Sequence, residues 1–234
     1  MKCNDKLGLC TFTNEKQQEE NKQELENTTL FYIGDPMCSW CYAMSDILKK
    51  VQEYCSLNNI SFEPILGGLR TSKVENWDDD FKNFLQNEWL HISKVAAKKF
   101  SFELFKLNYF EYITTNACKA VFIIKKLSKN KNNNRTTMEF FSKIQKKFYA
   151  QSLDPKELAF YRDICEDLGF SFSEFSKLFI DKEIQEELKK ELNYSRTFSS
   201  SMPSLVLIKG DKKTDISIGY SSLDEVISRI DRIF

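Results

Sequence analysis

The sequence predicts an α/β protein whose chain forms part of a sheet, leaves it for a long helical stretch, and then returns to complete it. Three observations predict this class: a strand-helix-strand pattern after a polar N-terminus, helical spacing of apolar residues through the middle, and a strand-strand-helix pattern at the end. The two outer parts can close into one four-stranded mixed sheet only if the helices between them form an inserted subdomain.

The composition is that of a chain that buries a large core. Its 234 residues are 41% hydrophobic and include 20 phenylalanines, which is enough for one large domain or one domain with an insertion. Lys plus Arg and Asp plus Glu each number 34, so no global field favours a polyanion. We therefore expect neither nucleic acid nor a membrane as a partner.

The N-terminal segment 1–27 is rich in Gln, Glu, Asn and Lys and has no continuous apolar stretch. This composition predicts a mobile polar arm or a solvated helix, and it lacks the apolar core of a signal peptide. The seven cysteines, an odd number scattered without a framework, are typical of a reducing compartment. We expect a cytoplasmic protein.

A β-α-β unit follows the arm. The segment 28–34 predicts a buried strand, the apolar periodicity of 38–57 predicts a helix, and the segment 60–66 predicts a second strand. The two strands start about thirty residues apart, a separation that suits a right-handed parallel crossover.

Helical spacing then runs from Gly67 to about Tyr194 and predicts several helices. Within it, Asp154 and Pro155 suit the N-cap and first turn of one helix, and Gly169 suits a helix stop.

After residue 201 the pattern becomes extended again. It predicts a strand at 204–208, a turn at Gly210, a second strand at 214–219 and a final amphipathic helix at 223–233. Together the patterns divide the chain into a polar arm (1–27), a first part of the sheet domain (28–70), a helical insertion (71–195) and a second part of the sheet domain (196–234).

The motif Cys38-Ser39-Trp40-Cys41 stands where the first strand passes into the helix. Unpaired N–H groups and the partial positive charge at a helix N-terminus stabilise a thiolate, and only the thiolate attacks a disulfide. The two-residue spacer places the second sulfur about one turn away, where it can displace the first from a mixed disulfide. The motif therefore predicts a redox dithiol in which Cys38 attacks and Cys41 resolves.

The motif permits two other interpretations. The same spacing forms half of many zinc sites, but zinc normally takes four ligands, and the other cysteines form no second C-x-x-C. A buried structural pair of cysteines is the other interpretation, and the strand-to-helix position argues against it. We therefore expect no metal site.

Further along, Met202-Pro203 leads into the strand 204–208. A strand, a C-x-x-C at a helix start, a helical insertion and an X-Pro before a later strand together resemble the thioredoxin-fold DsbA family. The resemblance covers residues 28–234 and implies an α/β, thioredoxin-like fold with a large all-helical insertion, and thiol–disulfide oxidoreductase activity. The strings that are similar to the cytoplasmic, FrnE-like branch of that family are GDPMCSWCY (34–42), GGLR (67–70) and NACKA (116–120).

The resemblance implies that Pro203 is cis and faces the Cys38–Cys41 pair, with Met202 and Pro203 binding substrate. Because proline has no N–H and a cis bond makes a tight turn, the backbone of Met202 would be free to pair with an extended segment. A trans proline that opens a strand is the alternative. The implied partners are proteins with disulfides or thiols, or a small thiol such as glutathione, and no cofactor is required.

The chain departs from the oxidising, periplasmic members in the motif itself. Those members usually carry a histidine between the cysteines, which stabilises the thiolate, whereas Ser39 and Trp40 stand here. We expect these two residues to tune the dithiol towards weaker oxidising power.

Two other classes of function share this layout. Kappa-class glutathione transferases and 2-hydroxychromene-2-carboxylate isomerases place a serine where Cys38 stands, so a glutathione-dependent transferase or isomerase is the second interpretation. A non-catalytic adaptor, usually marked by loss of the cysteines, is the third.

Four further residues have structural interpretations. The single histidine, His91, is interpreted as a packing residue rather than a proton carrier. Asp35 is interpreted as a turn former before Pro36, and Cys118 and Cys165 are interpreted as small buried apolar residues.

Overall fold

The computed structural model describes residues 2–4, 9–11, 28–71, 75–128 and 134–234. The strands are β1 (Lys2–Asn4), β2 (Leu9–Thr11), β3 (Thr28–Gly34), β4 (Ser61–Leu66), β5 (Ser204–Lys209) and β6 (Lys212–Ile218). The α-helices are α1 (Ser39–Ala43), α2 (Ser45–Leu57), α3 (Asp79–Ala96), α4 (Thr115–Leu127), α5 (Asn134–Gln145), α6 (Arg162–Asp167), α7 (Phe172–Phe179), α8 (Lys182–Ser195) and α9 (Leu223–Asp231). Single 3₁₀ turns occupy Glu103–Lys106 and Leu158–Tyr161, and a π-helical turn, Lys146–Ala150, follows α5.

The main sheet has four strands in the order β4-β3-β5-β6. Strand β3 pairs in parallel with β4 and antiparallel with β5, and β5 pairs antiparallel with β6. Helices α3 to α8 all lie in the connection between β4 and β5. The predicted α/β class, with a mixed four-stranded sheet and an inserted helical segment, is confirmed.

Pro64 lies inside β4, opposite Tyr32 of β3. Because β4 is an edge strand, a residue without an N–H is tolerated there. Its carbonyl oxygen accepts a hydrogen bond from Lys125 Nζ of α4 at 2.9 Å. The insertion therefore covers this edge of the sheet.

The two faces of the sheet are packed unequally. Leu30 and Tyr32 of β3 point into the large core that the sheet shares with α2, the insertion and α9. Ile33 points to the other face and joins a small cluster with Ile65 and Val206. The functional site described below lies at the end of β3 on the large-core face, since Met37 and Tyr42, which flank the C-x-x-C motif, belong to that core.

The structure differs from the sequence prediction at two helix boundaries. The predicted helix 38–57 is divided at Met44, whose N–H donates to the carbonyl oxygen of Trp40 at 3.2 Å. The predicted helix start at Asp154 is wrong, because the Asp154 carboxylate accepts the N–H of Lys156 and forms a turn instead. The predicted stop at Gly169 is confirmed by its left-handed φ of 74°.

Part of the polar arm also differs from the prediction. Strands β1 and β2 form a two-stranded antiparallel sheet, so a helix is wrong for these residues. The rest of the arm, 5–8 and 12–27, lies outside the described residues. The insertion is not helical throughout, since 97–114 is irregular apart from one 3₁₀ turn.

Candidate active site

Cys38 is the N-cap of α1. Its backbone is extended, its N–H donates to the carbonyl oxygen of Asp35 at 3.0 Å, and its own carbonyl accepts the N–H of Tyr42 at 3.0 Å. The first turn of α1 contains no acidic residue. Cys38 therefore lies at the end of the helix that carries the partial positive charge.

The Cys38 thiol is 5% exposed and points at the segment before β5. Its sulfur lies 3.9 Å from the carbonyl oxygen of Met202, and the Met202–Pro203 peptide bond is cis, the isomer that the resemblance implies. The Met202 side chain fills the space where a Cβ on Gly67 would lie, so glycine leaves room for it. The fold thus brings together two segments that are far apart in sequence.

Cys41 lies on α1, next to Cys38, and is fully buried. Burial raises the pKa of the Cys41 thiol well above its usual value, and the neighbouring Cys38 raises it further. The Tyr32 hydroxyl and the backbone of Asp35 act in the opposite direction. The two cysteines are not bonded to each other. The raised pKa of Cys41 favours its protonated thiol.

Asp35 carries a fully buried carboxylate beside the dithiol. Its oxygens accept the N–H groups of Met37 at 2.7 Å and Leu69 at 2.6 Å, and the thiol of Cys118 at 3.3 Å. Burial raises the pKa of Asp35, and these donors partly offset that effect. Among the described residues Asp35 has no ion-pair partner, so the carboxylate is held by neutral donors alone.

The sequence interpretation of Asp35 was therefore incomplete. Its bond to Met37, two residues on, does form the expected turn. Its bonds to Leu69 and Cys118 join the active-site loop to the segment after β4 and to α4 of the insertion. Cys118 is buried, as expected, but it also donates a hydrogen bond.

Trp40 stands at the rim of the site and is partly exposed. Its Nε1–H donates to Glu88 of α3 at 3.4 Å, and its ring lies 5.7 Å from that of His91 and 5.8 Å from that of Tyr220. His91 is exposed and contacts the indole edge-on, so its packing role is limited to this surface contact. Ser39, the first residue of α1, is also partly exposed.

One tyrosine of the insertion reaches the loop before Cys38, and a second tyrosine pairs with it. The Tyr112 hydroxyl donates to the carbonyl oxygen of Met37 at 2.8 Å and lies 3.2 Å from the Tyr149 hydroxyl. Burial raises the pKa of both phenols, and a negative charge on Cys38 would raise it further. Sequence reasoning missed both residues, because no local pattern links an aromatic in the insertion to the loop.

The structure brings Cys38, Cys41, Met202 and Pro203 together, with Ser39 and Trp40 at the rim. Among the described residues, no three side chains of the metal-binding types converge to hold an ion. Within those same segments, no helix has the length and apolarity needed to cross a membrane.

Comparison with known proteins gave matches of structure only: no family model matches the chain, and no curated protein does. A candidate protein disulfide isomerase from Nitrosomonas europaea has a TM-score of 0.75 and 24% identity, covering 88% of this chain and 97% of its own. The cytosolic disulfide reductase DsbM from Pseudomonas aeruginosa has a TM-score of 0.67 and 18% identity, with 88% and 98% covered. DsbA from Chlamydia trachomatis has a TM-score of 0.55 and 12% identity, with 88% and 84% covered. The chain has the thioredoxin-like fold of DsbA-like proteins, with a helical insertion.

Proposed function

We propose that the protein is a thiol–disulfide oxidoreductase that uses Cys38 and Cys41 as its redox dithiol. One observation carries this proposal. A thiol at the start of α1 lies 3.9 Å from the backbone of Met202, and a second, buried thiol follows within the same helix. In this arrangement the Cys38 sulfur is placed to contact a substrate, and the Cys41 sulfur is buried behind it.

The reaction consists of two exchanges. The Cys38 thiolate attacks one sulfur of a substrate disulfide, which releases one substrate thiol and leaves a mixed disulfide. Cys41 then attacks the Cys38 sulfur, so the Cys38–Cys41 disulfide forms and the second substrate thiol leaves. Two electrons pass to the substrate, and the reverse sequence oxidises a dithiol. Neither exchange requires a metal or an organic cofactor.

Met202 and Pro203 are assigned to substrate binding. Pro203 has no N–H, and the Met202 backbone adjoins the Cys38 sulfur, where an extended substrate segment could pair with it. Ser39 and Trp40 are assigned to tuning the dithiol and to contacting the substrate from the rim, since both are partly exposed.

The proposed substrates are proteins with disulfides or thiols, and small thiols such as glutathione. A solved structure of DsbM contains GSH, which supports the small-thiol partner. The cytoplasm remains the proposed location, on the basis of the scattered, odd-numbered cysteines. The proposed domains are the arm (1–27), the thioredoxin-like parts (28–70 and 196–234) and the insertion (71–195), which contains α3 to α8.

The test compares Cys38→Ser with Cys41→Ser in insulin reduction by dithiothreitol. We expect Cys38→Ser to lower the rate to the uncatalysed background, because the attacking sulfur is lost. Cys41→Ser should still attack but accumulate mixed disulfides, which non-reducing gels and mass spectrometry detect.

Cys165→Ala is the matched control, since it removes a buried thiol of α6. It should retain the wild-type rate. Near-normal insulin reduction by both active-site variants would contradict the proposal and favour the adaptor interpretation. Conjugation of glutathione to an electrophile by Cys38→Ser would favour a transferase instead.

A further inference from the structure

The helical insertion contacts the C-x-x-C motif on both of its flanks. Met37, directly before the first cysteine, is fully buried, and its carbonyl oxygen accepts the Tyr112 hydroxyl at 2.8 Å. Tyr42, directly after the second cysteine, stacks on Tyr149 with 5.0 Å between the ring centroids and 11° between the ring planes. Tyr112 lies in the irregular segment before α4, and Tyr149 lies in the π-helical turn after α5. Two separate segments of the insertion therefore enclose the dithiol.

The two tyrosines are also joined to each other through their hydroxyl groups, whose oxygens are 3.2 Å apart. A phenol has one proton, and Tyr112 donates its proton to the Met37 carbonyl, so Tyr149 is the donor within the pair. Burial raises the pKa of both phenols, which keeps both protons in place at neutral pH. The hydroxyls therefore form a chain of two hydrogen bonds that ends on the Met37 carbonyl.

Both tyrosine rings are enclosed by the core of the insertion. The Tyr112 ring lies edge-on to Phe148 at 5.6 Å, and the Arg70 guanidinium lies 5.5 Å from its centroid. The Tyr149 ring packs edge-on against Trp89 at 5.1 Å. Buried rings that are packed on several sides keep one orientation, because protein interiors leave little free space. The hydroxyl chain therefore starts from a rigid part of the molecule.

The bond from Tyr112 helps to fix the backbone directly before Cys38. The Met37 N–H donates to the Asp35 carboxylate at 2.7 Å, and the Cys38 N–H donates to the Asp35 carbonyl oxygen at 3.0 Å. Those two bonds lie within the loop itself, whereas the Tyr112 bond comes from a residue 75 positions away in the chain. Because a peptide group is planar, bonds to its oxygen and to its N–H together fix its orientation. The direction of the Cys38 sulfur towards the Met202 carbonyl, 3.9 Å away, depends on that orientation.

We propose that Tyr112 and Tyr149 are positioning residues for the dithiol, and we call them the tyrosine clamp. The clamp holds the Met37 carbonyl and α1 in the orientation from which Cys38 attacks a sulfur that is held beside Met202. This inference rests on the proposed function. The clamp acts through the backbone and the ring contacts that flank the motif, so its effect is on the alignment of the attacking sulfur with the substrate.

The clamp should matter most for substrates that bind in one fixed place. An extended peptide that pairs with the Met202 backbone presents its sulfur at a single position, so the attacking sulfur must be directed there. A small disulfide that diffuses freely can meet the same attacking sulfur from any open direction. A merely structural role would affect both kinds of substrate alike, because loss of folded protein lowers both rates equally.

The test places Tyr112→Phe in a Cys41→Ser background, so that only the attack by Cys38 is followed. Two substrates carry the same aromatic thiol as leaving group, and its thiolate is coloured. One is the small symmetric aromatic disulfide, and the other is an extended peptide whose single cysteine is joined to that thiol. In each case the Cys38 thiolate forms a bond to one substrate sulfur, the substrate S–S bond breaks, and the coloured thiolate leaves. The double variant Cys38→Ser, Cys41→Ser gives the background from the other cysteines.

We expect Tyr112→Phe to slow thiolate release from the peptide about three- to tenfold, because one hydrogen bond that aligns the attack is lost. Release from the small disulfide should stay unchanged. Tyr149→Phe should slow the peptide reaction by about twofold, since it removes the support of the Tyr112 hydroxyl but not the bond to Met37. Because the Met37 carbonyl keeps its donor in Tyr149→Phe, this variant tests the clamp even where Tyr112→Phe does not fold.

Tyr161→Phe is the matched control, because it also removes a buried hydroxyl of the insertion that donates to a carbonyl, that of Pro155. Tyr112→Phe and Tyr161→Phe should both lower the melting temperature, but Tyr161→Phe should leave both rates unchanged. Equal slowing of the two substrates by the clamp variants, no slowing of the peptide, or slowing of the peptide by Tyr161→Phe would overturn the clamp and leave the dithiol chemistry intact. Release no faster than the background by the Cys41→Ser parent, with both substrates, would overturn the proposed function as well.

Discussion

The mouth of the site and its floor differ in how their polar groups are satisfied. The mouth consists of Cys38, Trp40 and Met202, and it borders solvent: the indole N–H donates to Glu88, and its ring meets the exposed His91. Its polar contacts are long, 3.4 Å to Glu88 and 3.9 Å from the Cys38 sulfur to Met202. A substrate can replace such contacts at little cost.

The floor consists of Cys41, Tyr32 and Asp35, which are all fully buried. Burial raises the pKa of all three groups, which favours their neutral forms. The comparison shows that the attacking thiol, Cys38, and the resolving thiol, Cys41, are one helical turn apart but lie in different environments. The mouth is arranged to contact a substrate, whereas the floor disfavours ionisation.

The largest expected effect is the difference in alkylation between the two thiols. In the reduced, folded protein iodoacetamide should label Cys38 on the order of a hundredfold faster than Cys41, because Cys41 has no exposed surface and a raised pKa, whereas Cys38 keeps 5% of its surface exposed. Peptide mass spectrometry after timed quenching measures both rates. In urea the two rates should converge, and faster labelling of Cys41 in the folded protein would reverse the assigned roles.

A smaller effect is expected when Trp40 is replaced by the histidine that is usual between the cysteines of oxidising, periplasmic DsbA proteins. Trp40→His should raise the reduction potential by about 30–60 mV, since a charge-assisted hydrogen bond to the thiolate contributes about 1.5–3 kcal/mol and 30 mV corresponds to about 1.4 kcal/mol. Equilibration with glutathione buffers measures the potential. Trp40→Phe, which removes the Glu88 bond without adding an imidazole, is the control, and equal potentials for the two variants would contradict this account.

The smallest expected effect is a pH dependence of the free energy of unfolding that comes from Asp35 in the floor. The folded pKa of Asp35 is raised above its unfolded value, so between these values the folded protein holds a proton that the unfolded chain releases. The free energy of unfolding contributed by Asp35 therefore increases as pH falls through the raised pKa and levels off below about 3.8. Urea titrations should show the advantage of the wild type over Asp35→Asn growing as the solution is acidified.

The control for that experiment is Glu191→Gln. Glu191 of α8 is a partly buried carboxylate whose pKa burial also raises, while Lys125 opposes the shift. The N–H of Leu66 donates to Glu191 Oε1. The same sign of pH dependence is expected, with unchanged rates of disulfide exchange. A wild-type advantage over Asp35→Asn that shrinks at acid pH would show that the Asp35 carboxylate is stabilised, not penalised, by its site.

The parts of the site that the sequence predicted are those that a short stretch of chain determines. The C-x-x-C at a strand-to-helix junction is a local pattern, and the strands 28–34 and 204–208 follow from apolar runs bounded by turns. The place of Met202 and Pro203 followed from a family resemblance rather than from any residue pattern.

The parts that were missed depend on how distant segments pack. Asp35 has a turn-forming sequence, and nothing local shows that Cys118 of α4 donates to it. Tyr32 was expected to be buried in its strand, but its ring contacts with Phe62 of β4 and Phe141 of α5 depend on how separate segments pack. The division at Met44 was missed because apolar spacing continues through it.

The insertion cannot be removed as an independent unit, although it occupies a single connection between β4 and β5. Cys118 supplies a donor to Asp35, Phe141 supports the ring of Tyr32, and Lys125 binds the Pro64 carbonyl. Removing the insertion would take away one hydrogen-bond donor from the buried Asp35 carboxylate and would expose the core behind the dithiol to solvent. A redesign that grafts the C-x-x-C of this chain onto a minimal thioredoxin would carry over its sulfurs but not the environment that governs them.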